Sequence, residues 1–270
     1  MSVALENTRL WEKENLYRKA LEREFEIGRQ IQAGFLPENL PHPRGWEIAA
    51  SIKSARQVAG DFYDAFQIPT GRIGLVIADV CDKGLGAALF MTLFRSLLRA
   101  AANMDLLVLS DPLEGDPTSA RLKNAILLTN NYIYKTHWNT GMFATIFFGI
   151  LDANNGMLSY INAGHVPPIV VNKNGLKQTL ERTGPAVGGI LDAPYTIQQV
   201  ELEQDDVLFA YTDGVTDTIN PTGDYFGQIG LISLLGGSEK LSALLTKIQN
   251  SLKDFAASEK QQDDITLLAV

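Results

Sequence analysis

Four times along this chain an apolar, strand-like segment abuts aspartate, with a turn or a glycine beside it. The four stretches are "AGDFYD" with Asp61 and Asp64, "IADVCDKG" with Asp79 and Asp82, "FAYTDGVTD" with Asp213 and Asp217, and "QQDDITLLAV" with Asp263 and Asp264. A charge at the tip of a buried strand limits what the chain can fold into. The strand ends must reach solvent or gather around a counter-ion, because an unpaired carboxylate in a partly desolvated cleft costs several kcal/mol and like charges raise one another's pKa. A lone Asp before Gly is commonly a turn former or a helix N-cap, and Asp64, Asp82 and Asp217 read most simply as solvated turn carboxylates. Asp79 and Asp213 differ, since each follows five or more mainly apolar residues and gains little structurally from its place.

If the carboxylates converge, a divalent cation removes the penalty and supplies chemistry. Two ions roughly 3.5–4 Å apart share a water, lower its pKa and aim it as a nucleophile. With one cysteine, Cys81, and three histidines, His42, His137 and His165, the donors are mostly oxygen, which suits Mg²⁺ or Mn²⁺ rather than Zn²⁺. The single cysteine also excludes an internal disulfide framework. A net charge of -8 disfavours a nucleic-acid partner, whose binding is dominated by phosphate neutralisation. No apolar stretch reads as a membrane span and the first residues do not read as a signal peptide, so the expected location is the cytoplasm, with no membrane partner.

Residues 3–36 carry no glycine before Gly28, no proline before Pro37, and many Glu, Arg, Lys and Leu, which reads as one long helix. Leu10, Tyr17 and Ile31 fall on one heptad series and Leu21 and Phe35 on another, interrupted by Glu24 and Gly28, a weak coiled-coil signature. Residues 1–36 are therefore expected to be a helical linker that either lies on its own domain or forms a homodimer, with the main domain at 44–270. Within that domain strands are expected at 46–54, 73–79, 145–151, 158–162, 168–171, 197–202, 207–211 and 265–270. Helices are expected at 85–103, 117–137 and 239–257. Strands in runs with tight turns, as in "LDANNGMLSYINAGHVPPIVV", favour antiparallel sheets covered by helices, an α+β layered domain.

Six stretches in order, "RQVAGDFYDAF", "GLVIADVCDKGLGAALFM", "MFATIFFGILD", "LSYINAGHVPPIVV", "LFAYTDGVTDTINPTGDYFG" and "QDDITLLAV", resemble the PPM-type (type 2C) metal-dependent serine/threonine phosphatases, in particular the bacterial SpoIIE/RsbU-like branch. The likeness spans about residues 45–270. It implies a four-layer α-β-β-α sandwich with a dinuclear Mn²⁺ or Mg²⁺ site at one edge. It also implies hydrolysis of phosphoserine or phosphothreonine on a small anti-anti-sigma (STAS-type) regulatory protein by a metal-bridging hydroxide. Carried over by position, the metal ligands are Asp61, Asp79, the backbone carbonyl of Val80, Asp213 and Asp263, with Asp264 in reserve. Arg56, five residues before Asp61, matches the arginine that holds the substrate phosphate in eukaryotic relatives, although a plain surface arginine is equally compatible. His165 reads as a turn-stabilising group rather than a general acid, and Cys81 as a small core residue.

The sequence departs from the family pattern in three places. Ala59-Gly60 replaces a paired glycine, "CDKG" replaces a more frequent Ser-Gly-Lys-Gly, and Val166 stands where asparagine is common. Ala59 is tolerable only if its φ is negative. Two rival readings remain. One is a non-catalytic phosphoprotein-binding regulator dimerising through its N-terminal helix. The other is a nucleotide cyclase, disfavoured because "AGDFYD" lacks the acidic residue that signature needs directly after its aspartate.

Overall fold

A computed structural model of the chain describes residues 2–104, 117–236 and 239–270. Helix α1 (Ser2–Ala33) leads into β1 (Ala49–Lys53), β2 (Phe62–Gln67), β3 (Ile73–Val80), α2 (Leu85–Asn103) and α3 (Pro117–His137). There follow β4 (Ala144–Asp152), β5 (Met157–Ala163), β6 (Ile169–Asn172), β7 (Gly175–Thr179), β8 (Gln198–Glu201) and β9 (Val207–Tyr211). The short helices α4 (Asp213–Thr216) and α5 (Gly227–Leu234), then α6 (Leu241–Ala256) and β10 (Ile265–Ala269), complete the fold.

Two five-stranded sheets form, in the orders β1-β10-β9-β6-β7 and β2-β3-β4-β5-β8, and every paired neighbour is antiparallel. Alternation along the strands explains the layering. In β3, Leu75 and Ile77 pack between the sheets with Phe147, Tyr160, Leu208 and Leu268. Val76, Ala78 and Val80 turn the other way, against Met91, Phe94 and Leu98 of α2 and Ile126 of α3. On the far side Phe209, Tyr211 and Leu267 pack under Leu244, Leu245 and Ile248 of α6. Both faces of each sheet are thus covered, so the strands read as nearly continuous apolar runs, and burial of these side chains is the main favourable term. The result is the four-layer α-β-β-α sandwich that the resemblance implies, preceded by an N-terminal helix.

Several sequence expectations need correction. The sequence pattern does not predict strands β2 and β7 or the short helices α4 and α5. Asp64 is not a solvated turn residue: it lies within β2, is almost fully buried, and pairs with Arg95 at 3.1 Å and Arg99 at 3.3 Å on α2. Helix α2, against the expectation that no apolar stretch is long enough to span a bilayer, does have the length and hydropathy for it. Its apolar face is buried against the β2-β3-β4-β5-β8 sheet, and Arg95 and Arg99 anchor it to Asp64. Cys81 is half-exposed; its sulfur accepts the Phe143 N–H at 3.2 Å, and burial pushes the thiol pKa up. The stretch 104–117 carries no readable code for substrate recognition and lies almost wholly outside the described residues.

Candidate active site

Strand register brings the aspartates together. Phe62 pairs with Ala78, so Asp61, one residue earlier, faces Asp79 across the β2-β3 ladder. Asp79 shares the parity of Leu75 and Ile77, which point into the gap between the sheets, and Asp61 shares that of Ala65, which does the same. From the other sheet, β9 ends at Tyr211 and β10 begins at Ile265, neighbours through the pair Tyr211–Leu267, so Asp213 and Asp263 emerge side by side. The approach is tight. A Cβ on Gly214 would fall 2.0 Å from the Asp264 carbonyl oxygen, so only glycine lets the "TDG" turn pass this closely over the 263–264 backbone.

Electrostatics records the crowding. Burial, then the neighbouring Asp79 carboxylate, pushes Asp61 well above the usual carboxylate range; the nearby Thr212 and Thr266 hydroxyls offset this only in part. Asp61 Oδ2 is buried with no hydrogen-bond partner, as is Thr266 Oγ1. Burial, with Asp213 and Asp263 next in effect, pushes Asp79 up to about 7. Asp213 is raised by burial and then by Asp263. Among the described residues no three His, Cys, Asp or Glu side chains close around a single point as a ready-made cage. The carboxylates instead act on one another along the edge, with Asp79 feeling Asp213, Asp263, Asp61 and Asp264.

A cation fits what is present. The donors are hard oxygens, one of them a buried orphan, and the pKa values of Asp61, Asp79 and Asp213 are raised first by burial and then by repulsion from neighbouring carboxylates, which a positive charge would cancel. Lys83 already answers part of this demand: its Nζ lies 2.7 Å from Asp263 Oδ2 and 2.9 Å from the Gln262 carbonyl, and its charge lowers the pKa of Asp213. Asp264, the reserve ligand, has both oxygens engaged elsewhere. Its Oδ1 accepts the Ala55 N–H at 2.7 Å and its Oδ2 the Gly60 N–H at 2.8 Å.

The loop 54–61 that carries Asp61 from one sheet to the other is held at further points. Gln32, near the end of α1, exchanges two hydrogen bonds with Ala59: its Nε2 donates to the Ala59 carbonyl at 2.7 Å and its Oε1 accepts the Ala59 N–H at 3.0 Å. Gly60 comes so near β3 that a Cβ would lie 3.1 Å from the Val80 carbonyl oxygen. Ala59 does not adopt a positive φ, which explains why alanine is accepted there, whereas Asp82 does, at 70°. Asp82 faces water and takes the Lys83 N–H at 2.8 Å, a turn role of the kind aspartate tolerates in the left-handed region. Arg56 is exposed; its guanidinium stands 4.0 Å from where a Gly84 side chain would be, on the same rim as Lys83. His165 is buried, its backbone N–H bonded to Asn162 Oδ1 at 2.9 Å and its Nδ1 2.9 Å from Thr145 Oγ1. Burial lowers its pKa to about 3, so it is neutral near pH 7.

Residues 69–270 match the family model for stage II sporulation protein E (SpoIIE). The chain belongs to the SpoIIE family. Among its relatives, protein IcfG of Synechocystis sp. is 42% identical over 260 residues, covering 92% of this chain and 41% of that protein. The phosphoserine phosphatase RsbP of Bacillus subtilis is 26% identical over 250 residues, covering 92% of this chain and 57% of that protein. The chain therefore spans about half the length of these relatives. Among solved structures, the SiaA PP2C domain of Pseudomonas aeruginosa superposes with a TM-score of 0.77 at 20% identity, covering 94% of this chain and 97% of that one. The PP2C phosphatase domain of SpoIIE from Bacillus subtilis gives 0.62 at 15% identity, covering 86% and 68%. These structural likenesses establish a PP2C-type fold for this SpoIIE-family chain.

The sequence reading passed over four groups that shape this edge: Lys83, Gln32 and the hydroxyls of Thr212 and Thr266. Lys83, Thr212 and Thr266 lie inside the quoted "CDKG", "FAYTDGVTD" and "QQDDITLLAV", but their bearing on the aspartates, like that of Gln32, is recognisable only once distant elements are folded together.

Proposed function

We propose that this chain is the catalytic unit of a divalent-metal-dependent protein serine/threonine phosphatase. The observation that carries the reading is the pairing of Asp61 and Asp79 across adjacent strands, with a buried, unpartnered oxygen and both carboxyl groups driven toward protonation. The activity named for the SpoIIE-family relative RsbP supports it. Asp61, Asp79, Asp213, Asp263 and the Val80 carbonyl would hold Mn²⁺ or Mg²⁺, as two ions. When bound, such ions supply charge that lets the carboxylates stay ionised together, and they acidify water for hydrolysis.

The chain's own residues do the rest. Asp264 and Gln32 fix the loop that presents Asp61. Lys83 balances the charge of Asp213 and Asp263, and the exposed Arg56 offers a bidentate fork to a phosphoryl group arriving at the rim. No cysteine phosphatase loop is present, since "CDKGLGA" brings no arginine after Cys81. The substrate we infer is phosphoserine or phosphothreonine on a STAS-type regulatory protein in the cytoplasm. Exposed Leu10, Tyr17, Leu21 and Ile31 on α1 support a homodimer formed through that helix.

The test is release of phosphate from a phosphorylated STAS protein in Mn²⁺, for wild type and Asp213→Asn. Turnover by wild type, lost in the variant with unchanged circular dichroism, is expected. Binding of the phosphoprotein without turnover by wild type would replace this reading with the non-catalytic regulator.

A further inference from the structure

Beside the carboxylate edge, a cavity of about 240 Å³ opens between the start of β10, the α4 turn, the segment around Tyr225 and the C-terminal end of α6. It is smaller than the roughly 300–1,000 Å³ of a pocket for a whole small molecule, and is sized for one or two side chains of a longer ligand. Its inner wall includes Gly214 and Asp263, so it is continuous with the candidate active site. Buried Leu252 and Ile265 form an apolar floor.

The charge around this cavity runs against that of the molecule. The chain is acidic overall, with 31 Asp and Glu against 23 Lys and Arg. Four lysines nevertheless line the one cavity: Lys53 from β1, Lys83 after β3, Lys253 on α6 and Lys260 beyond it. Lys83 is occupied by Asp263, but Lys53, Lys253 and Lys260 are exposed and make no ion pair among the described residues. The acidic members of the lining are Asp217, Glu259 and Asp263, and the last belongs to the candidate metal site.

Two further features suit a chain-like ligand. Ala257, in the wall, caps α6 at φ 49° and ψ -105°, a strained conformation for a residue with a side chain. It is what turns the backbone so that the segment bearing Lys260 borders the cavity. Tyr225, large and well exposed, offers a flat contact at the rim.

We propose that this cavity receives the stretch of phosphoprotein next to the phosphorylated residue, and that Lys53, Lys253 and Lys260 select substrates carrying Asp or Glu there. The proposal rests on the phosphatase reading above and adds to it a substrate class. Charge complementarity of this kind sets selectivity and is screened by salt.

The experiment compares wild type with the triple variant Lys53→Ala, Lys253→Ala, Lys260→Ala, whose three sites lie outside the carboxylate set. Three substrates are used in Mn²⁺: p-nitrophenyl phosphate, a phosphoserine peptide with acidic flanks, and one with neutral flanks. The variant is expected to raise KM for the acidic peptide about tenfold, about 1.4 kcal/mol, with kcat unchanged and the other two substrates unaffected. Replacing the same three lysines with arginine should restore the wild-type KM. An equal rise on the neutral peptide, or no change on the acidic one, overturns the proposal. Failure of wild type to turn over any of the three in Mn²⁺ would sink the phosphatase reading instead. Fluorescence anisotropy of the labelled acidic phosphopeptide then decides the cavity alone: about tenfold weaker binding to the triple variant sustains it, and equal binding ends it.

Discussion

Replacing Asp264 with alanine separates a carboxylate that builds the site from one that holds metal. In the folded chain Asp264 receives two backbone N–H groups, from Ala55 at 2.7 Å and Gly60 at 2.8 Å, at a position only 8% exposed. A hydrogen bond to a charged group contributes about 1.5–3 kcal/mol, so the pair represents about 3–6 kcal/mol. Against that, losing the Asp264 charge relieves repulsion it exerts on Asp61 and Asp79. The net cost expected for Asp264→Ala is about 3 kcal/mol. For a domain of this size that corresponds to a fall in Tm of about 6–12 °C. Asp264→Asn, which keeps one acceptor and turns an amide donor toward the other N–H, should fall between. The assay is differential scanning calorimetry in chelator, followed by Mn²⁺ titration. If Asp264 were itself a principal ligand, removing it would leave the metal-free Tm equal or higher, because only repulsion would be lost, while metal affinity collapsed. A metal-free Tm at or above wild type would therefore refute the clamp.

Other perturbations give distinct outcomes. Because the folded-state pKa of Asp79 is raised to about 7, its contribution to stability is greatest below about pH 4 and is lost as pH rises toward 7. Metal-free wild type should thus lose Tm relative to Asp79→Asn between pH 5 and pH 8. The comparison cancels His165, whose lowered pKa acts in the opposite direction in both proteins. Lys83→Met should strengthen Mn²⁺ binding about two- to fivefold by calorimetric titration, because the ammonium competes for Asp263 across an ion pair worth at most about 1 kcal/mol. Gly214→Ala, forcing a methyl to within 2.0 Å of the Asp264 carbonyl, should lower stability by about 2–3 kcal/mol in urea titration. Deleting residues 1–36 removes the Gln32 grip on Ala59 along with the exposed heptad positions, and should change turnover or oligomeric state; an unaltered protein in sedimentation and kinetics would dismiss a role for α1.

What could be read before folding was whatever is local. Helices α2 and α3 begin and end where expected, and the apolar run of β3 meets acid at Asp79, one residue before the strand ends at Val80, because apolar periodicity and the Gly84 and Pro117 breaks are carried by neighbouring residues. Strand β2 was hidden by Asp64. A charge inside "FYDAFQ" looks like a turn until Arg95 and Arg99, more than thirty residues later, fold back onto it. Strand β7, "GLKQT", is polar and largely exposed because it is the sheet's edge, so it offered no apolar alternation. At the site, the strand ends marked the aspartates, but nothing local distinguishes Asp264, with two N–H partners, from Asp263, with a lysine. That difference is set by the loop 54–61, about two hundred residues away in sequence.

The same loop explains why the crowding persists. A buried carboxylate with an unpartnered oxygen beside another acid would ordinarily back away into solvent, but Asp61 cannot. Residue 60 is tied to Asp264, residue 59 to Gln32, and the missing side chain at Gly60 lets the loop sit hard against the Val80 carbonyl. With retreat blocked, repulsion is relieved by a proton or by a cation, and the two compete for the same oxygens. Cation affinity should accordingly climb with pH until Asp79 and Asp61 are ionised. Since one of the ties comes from the last turn of α1, moving that helix alters how firmly Asp61 is held against Asp79. The balance between proton and cation is then open to whatever acts on the N-terminal segment.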